Sequence, residues 1–328
     1  MNCPTERVIR TPDTGDLMSE YPAHVEIEPR VHLVRGLNGA RFPEANSLFI
    51  DDEILTLVDA GSDVRQVTST MKDLGYRLKE LDRLVLTHFH IDHKGHAEQL
   101  RQISDCEVMC HPLSVKGIST FQGWAEECGI TDHPSFNEWI PLLIEWMPLL
   151  SSDYKITIHF QNMKPISCGE VELIPLHLPG HTKDHTCFGI NGLETIFLVD
   201  IDLTSFGPFY GNLVSDIREF KHSIKRVIDL SPKLGISSHL PNPVTDNLQE
   251  LLEEFLGVFD KRDAEILRRI YDGHNTVEKL ASLPTIYPRI PFEPYYFFEE
   301  CMLELHVQIL LEDGVIRQER NEFEIARR

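Results

Sequence analysis

Apolar positions in this chain come first as short strand-like runs, then at helical spacing, and the cycle repeats. Residues 1–22 are polar and proline-rich, which predicts a tail outside any core. From Val25 to Asp59 the runs VHLVRG, SLFI and EILTLVDAG are separated by turn residues and predict strands. Val64, Val67, Met71 and Leu74 then recur at helical spacing and stop near Gly75. A buried-type strand, LVLT at 84–87, leads directly into HFHIDHKGH; a helix carrying Ala97, Leu100 and Ile103 follows, then the strand CEVMCH at 106–111. Strand, loop, helix, strand is the signature of a layered α/β fold.

Residues 112–150 interrupt that rhythm. They hold all three tryptophans (Trp124, Trp139 and Trp146) in helical apolar runs between prolines, as expected of an inserted helical cap. The strand pattern resumes in KITIHF, VELIPLHL, HTCFGI, TIFLVD and LGISSH. Beyond about Pro243 the chain turns helical. Asp246 with Gln249 resembles a capping box ahead of Leu248, Leu251, Leu252, Phe255 and Phe259. A second helix is expected through Ile266 and Ile270 to Gly273, a short third after Thr276, and a longer one through Met302, Leu305 and Ile309 to Gly314. VIRQ and FEIA around Asn321-Glu322 predict a hairpin. The parsing is a tail over 1–22, an α/β body over 23–244 with its insertion at 112–150, and a winged-helix-like unit over 245–328.

Composition narrows the function classes. The formal net charge of −21 works against binding a phosphate backbone, so no nucleic-acid partner is expected. The seven cysteines are scattered, with no CxxC pair, which argues against a disulfide framework and fits a cytoplasmic location. No secretory signal is visible at the N-terminus. The most apolar stretch, Trp139 to Leu150, is too short for a membrane span and carries Pro141, Glu145 and Pro148.

The candidate chemistry lies in Thr87-His88-Phe89-His90-Ile91-Asp92-His93. Four metal-capable side chains fall within six residues, immediately after an apolar strand. Imidazole and carboxylate together suit zinc, manganese or iron. His88 and His90, two apart, can converge on one ion, whereas Asp92 and His93 can face a neighbouring ion. Further candidates stand where later strands end: His181 in Pro179-Gly180-His181-Thr182, Asp200 after TIFLV, and His239 in LGISSH. Ends of neighbouring strands meet at one sheet edge, where open α/β sheets place their sites. No GxSxG nucleophile elbow is present.

This arrangement resembles the metallo-β-lactamase superfamily over roughly residues 25–244, on the THFHIDH run, PGHT, the aspartate of FLVDID and the histidine of SSH. The resemblance implies a four-layer αβ/βα sandwich. It gives His88, His90 and His181 to one metal and Asp92, His93 and His239 to the other, with Asp200 bridging them. Two zinc ions are implied, with iron or manganese as alternatives. Many members carry a glycine before the bridging aspartate; here Val199 stands there, and Asp202 lies on the same side of the strand. Asp92 is expected to orient the attacking water or carry its proton, and the Tyr210 hydroxyl, in the aromatic segment 206–211, to lie near the metals. His96, His177 and His185 are expected behind the ligands or at the surface.

Three functions fit this reading: a thioesterase of the hydroxyacylglutathione hydrolase kind, an endoribonuclease, and a metal-binding sensor or scaffold. From Thr245 onward ten Lys/Arg face eighteen Asp/Glu, a net charge of −8, which disfavours RNA. An intact ligand set disfavours the scaffold. A small-molecule thioester is therefore expected first and lactones or phosphoesters next. The C-terminal unit is expected to act in packing, pocket closure or homodimerisation.

Overall fold

A computed structural model describes residues 21–146, 150–290 and 294–326, leaving the side chains of Trp146 and Pro294 out. Most of the expected tail, with Cys3, and Pro148 therefore lie outside the described residues.

Strand alternation builds the first sheet. In order it is β1 (His24–Glu28), β2 (Val31–Val34), β3 (Ser47–Ile50), β4 (Thr56–Val58), β5 (Arg83–Leu86), β6 (Glu107–Cys110) and β7 (Ile158–His159). Register places Leu33, Leu48, Val58, Val85 and Met109 in one row across five strands, and the neighbouring row runs Phe49, Leu57, Leu84, Val108. Successive residues point to opposite faces. The first row joins the core between the sheets, and the second packs on α2 (Val64–Asp73) and α4 (Ala97–Ser104) outside. Between β2 and β3 lies a single tight turn, α1 (Leu37–Ala40), in which Asn38 and Gly39 take left-handed angles.

The second sheet has the order β12 (Leu234–Ser237), β11 (Thr195–Val199), β10 (Thr186–Ile190), β9 (Glu172–His177), β8 (Ile166–Ser167). Phe220, Ile224 and Val227 of α8 (Ile217–Leu230) bury against it. The result is the αβ/βα sandwich. The insertion supplies α5 (Val115–Ser119), α6 (Phe121–Cys128) and α7 (Phe136–Trp146), and both Trp124 and Trp139 are buried there as core residues.

The C-terminal elements are α9 (Leu248–Tyr271), α10 (Val277–Ala281), α11 (Pro294–Glu312) and the hairpin β13 (Ile316–Glu319), β14 (Glu322–Ile325). Two expectations change here. Residues 248–271 form one continuous 24-residue helix, because Lys261-Arg262-Asp263 continue it without a breaker. Its N-cap is Asn247 in a left-handed conformation, with no side-chain cap bond, so Asp246 and Gln249 form no capping box. Phe255, Phe259, Ile266, Met302 and Leu303 belong to the same apolar cluster as the second sheet. No helix among the described residues is long and apolar enough to cross a membrane.

Candidate metal centre

Four strand ends deliver the candidate ligands. β5 ends at Leu86, and the chain passes through His88 and His90 into a single turn, α3 (Ile91–Lys94), which presents Asp92 and His93. β9 is followed by Pro179-Gly180-His181. Gly180 has φ +127, and a Cβ there would stand 2.2 Å from the backbone of Phe220, so only glycine fits the turn. β11 pairs with β12 with a register shift between Phe197 and Val199. Val199, where the family resemblance leads one to expect glycine, takes φ +55. A β-branched residue seldom occupies that region, and the kink turns Asp200 into the site. Asp202 instead accepts a hydrogen bond from the Thr204 amide at 2.8 Å and belongs to none of the candidate metal clusters among the described residues.

Three ligand groups result: His88, His90 and His181; Asp92, His93 and His239; and His88, His93 and Asp200 joining them. His181 Nε2 lies 2.9 Å from His90 Nδ1 and 3.3 Å from His88 Nε2. Asp200 reaches both sides: His93 Nε2 is 3.1 Å and His239 Nε2 3.3 Å away, with His88 Nε2 at 3.7 Å and His181 Nε2 at 3.8 Å. Asp92 Oδ2 stands 3.7 Å from His239 Nε2 and 3.9 Å from His93 Nε2.

The outer nitrogens fix the tautomers. His181 Nδ1 donates to the Phe209 carbonyl at 2.8 Å, and His239 Nδ1 to the Ala40 carbonyl at 2.7 Å. A carbonyl can only accept, so both Nδ1 atoms carry a proton and both Nε2 atoms face the centre, each offering a lone pair when its ring is neutral. His93 Nδ1 lies 2.7 Å from Asp59 Oδ2. The Thr87 hydroxyl donates to Asp59 Oδ2 at 2.8 Å and so accepts from His88 Nδ1 at 3.0 Å. Asp59 thereby orients one imidazole of each triad. It escaped sequence reading, although a strand-end aspartate in VDAG was its visible signal. Its support resembles the carboxylate–imidazole–metal arrangement of metalloproteins.

This donor set fits divalent cations. A neutral His93 turns a lone pair toward the lone pairs of Asp200 at 3.1 Å, a repulsive contact that a proton or a metal cation between them relieves. Imidazole nitrogens at zinc-binding distance, about 2.0–2.1 Å from an ion, stand about as far from one another as those of His88, His90 and His181. Burial holds His88 well below its ordinary range, with neighbouring imidazoles adding to it, and brings His90 to about 3 and His181 to about 4. These three stay neutral. For His93 and His239 burial also lowers the pKa, but Asp200 outweighs it, with Asp59 and Asp92 adding at His93 and Asp92 and Asp202 at His239; His93 rises well above its ordinary value and His239 to about 9. The field that favours a proton there also favours a metal cation.

The remaining histidines stand outside the ligand groups. His185 Nδ1 donates to the Leu178 carbonyl at 2.9 Å, and its Nε2 accepts from the Asp200 amide at 3.2 Å, so it braces Asp200. His177 donates to the Lys183 carbonyl and stacks on His111. Tyr210 requires correction. Its ring is fully buried against Phe259, and its hydroxyl meets His306 Nε2 at 2.6 Å, so it turns toward the C-terminal helices and away from the ligands. Its neighbour Phe209 instead packs on His90 and His181, with ring centroids 6.1 and 5.9 Å apart.

The family profile described as the metallo-beta-lactamase superfamily matches residues 41–239. The chain belongs to that superfamily, whose members bind divalent metals and are largely hydrolases. It is 23% identical over 238 residues to the beta-lactamase-like protein 2 homolog of Drosophila melanogaster, covering 72% of this chain and 71% of that one. It is 22% identical over 286 residues to an atrochrysone carboxyl ACP thioesterase of Pseudocercospora fijiensis, covering 83% and 70%. Among solved structures, a metallo-beta-lactamase family protein from Thermus thermophilus superposes with a TM-score of 0.71 at 19% identity, over 92% of this chain and all (100%) of that one.

Proposed function

We propose that the chain is a dinuclear, zinc-dependent hydrolase of thioesters, acting on a small-molecule or carrier-borne acyl group. The observation that carries the reading is Asp200 standing between the three-histidine group His88, His90 and His181 and the group Asp92, His93 and His239, with the Nε2 atoms of His181 and His239 turned toward it. Bound divalent cations lower the pKa of water to around 7 and polarise a substrate oxygen. His88, His90 and His181 would hold one cation, Asp92, His93 and His239 the other, and Asp200 both. Asp92 is the ligand carboxylate suited to accept the proton released by the attacking water.

An aromatic wall supports an acyl substrate. Phe298 packs on Phe209 at 5.7 Å, Tyr295 on Phe298 at 6.0 Å, and Phe297 on both Phe298 and Trp139. Phe209, Tyr295, Phe297 and Phe298 are only partly buried, so this surface beside the ligands is apolar and accessible. The likeness to an ACP thioesterase agrees with it. The charge balance beyond Thr245 argues against RNA, and no cation lies on α11 between Tyr295 and Glu312.

The test is a screen of zinc-loaded protein against thioesters, lactones, phosphodiesters and RNA, with Asp200→Ala as control. Thioester turnover is expected first, falling by about three orders of magnitude in the variant, the scale of losing one essential electrostatic group. Turnover of RNA alone would overturn the reading.

A further inference from the structure

Arg262 is a buried guanidinium with no carboxylate within ion-pair distance among the described residues. Burying an unpaired charge is costly, so its donors must be well used. Among the described residues its side-chain hydrogen bonds all go to one short stretch. Nη2 donates to the Phe206 carbonyl at 2.7 Å, and Nη1 donates to the Pro208 carbonyl and to the Tyr210 hydroxyl at 2.8 Å. The guanidinium also stacks on the rings of Phe206 at 4.9 Å and Tyr210 at 5.3 Å. A second anchor runs on from Tyr210. Its hydroxyl donates to His306 Nε2, and His306 Nδ1 donates to Asp263 Oδ1 at 2.6 Å. One placement of hydrogens satisfies the whole chain, from the guanidinium through the phenol and imidazole to the carboxylate.

The carbonyl of Phe209 lies inside the stretch held this way, between Pro208 and Tyr210, and it accepts the Nδ1 proton of His181. We infer that Arg262, from the middle of α9, is a positioning residue for the candidate ligand His181. Through the 206–210 backbone it fixes the carbonyl that sets the tautomer and ring angle of that imidazole. The inference rests on the reading of His88, His90 and His181 as a cation site. It makes the C-terminal helices part of the machinery of that site, although they contribute none of its ligands. Lysine can reproduce only part of the contact, because the bonds diverge from a planar fork.

The experiment is cation binding to full-length protein, with turnover left aside. Cobalt(II) titrations of wild type, Arg262→Met, Arg262→Lys and His181→Ala are followed by the visible d–d spectrum and by stoichiometry. Arg262→Met is expected to weaken one of the two sites about 10- to 100-fold, the range for loss of groups that orient a metal ligand. It should change the spectrum of the same site that His181→Ala removes, leaving the other site unchanged, and Arg262→Lys should recover part of the loss. Should Arg262→Met fail to fold, Tyr210→Phe keeps the ring and its packing while cutting the hydroxyl link. A smaller shift at that same site is then expected. Wild-type affinity and spectrum in the folded Arg262→Met protein, or in Tyr210→Phe where that variant decides, overturn the proposal if His181→Ala loses the site. If His181→Ala also binds like wild type, the reading of the cation site itself falls.

Discussion

Asp59 Oδ2 sits 2.7 Å from His93 Nδ1, and the same oxygen accepts the Thr87 hydroxyl at 2.8 Å. One fully buried carboxylate thus governs an imidazole on each side of Asp200. Asp59→Asn keeps the volume but replaces one acceptor oxygen with a donor. Affinity for zinc is expected to drop about 10- to 100-fold, the usual cost of losing such a partner. Isothermal titration into the metal-free protein checks this, and unchanged affinity at both positions refutes it.

The wall of Phe209, Phe298 and Tyr295 should sort substrates by acyl group. Phe298→Ala is expected to raise KM roughly tenfold or more for aromatic or long-chain thioesters, tenfold being the low end for one lost methylene in a pocket. Acetyl thioesters should be nearly unaffected. Equal losses for both groups would mean that the wall packs the fold without touching substrate.

Glu44 Oε2 accepts the amides of Leu37 and Asp63 and so braces the turn whose Ala40 carbonyl orients His239. Burial pushes its carboxyl up from 4.5 to about 7. A raised carboxyl means that the folded protein binds the proton more tightly than the unfolded chain does. Its contribution to stability is therefore complete below pH 4.5 and is lost as pH climbs toward 7. Glu44→Gln mimics the protonated form and should flatten the decline across that window. Urea midpoints measured at intervals from pH 5 to 8 decide it, and parallel curves for the two proteins would count against it.

Gly180→Ala should damage the site through the fold. The added carbon would meet the Phe220 backbone at 2.2 Å, forcing α8 or the His181 turn to move. A loss of about 1–3 kcal/mol is expected, the usual range for overpacking, together with reduced metal content. Wild-type denaturant midpoint and metal content in the variant would show that the turn can shift freely.

Much of the layered body was legible because register and burial obey alternation, as in the row Leu33, Leu48, Val58, Val85, Met109. The ligand candidates were legible because dense metal-capable side chains follow an apolar strand. What sequence could not give was orientation. Nothing in FGPFYG separates Phe209, which faces the imidazoles, from Tyr210, which faces the opposite way. Asp59 read as an ordinary strand-end residue because its partners, Thr87 and His93, lie far along the chain. The break expected between Phe259 and Ile266 does not occur: Arg262 is buried inside a continuous helix, so a charged letter marks an inward-facing residue.

The clamp from α9 onto residues 206–210 also bears on how the chain is made. During synthesis the sandwich strands emerge first, and domains generally fold as they leave the ribosome. Here Phe206, Pro208 and Tyr210 wait for partners at positions 262 and 306. The contacts that hold the loop beneath His181 form only once α9 and then α11 have emerged, so a nascent chain stalled before α11 carries the Arg262 clamp but lacks its His306 end.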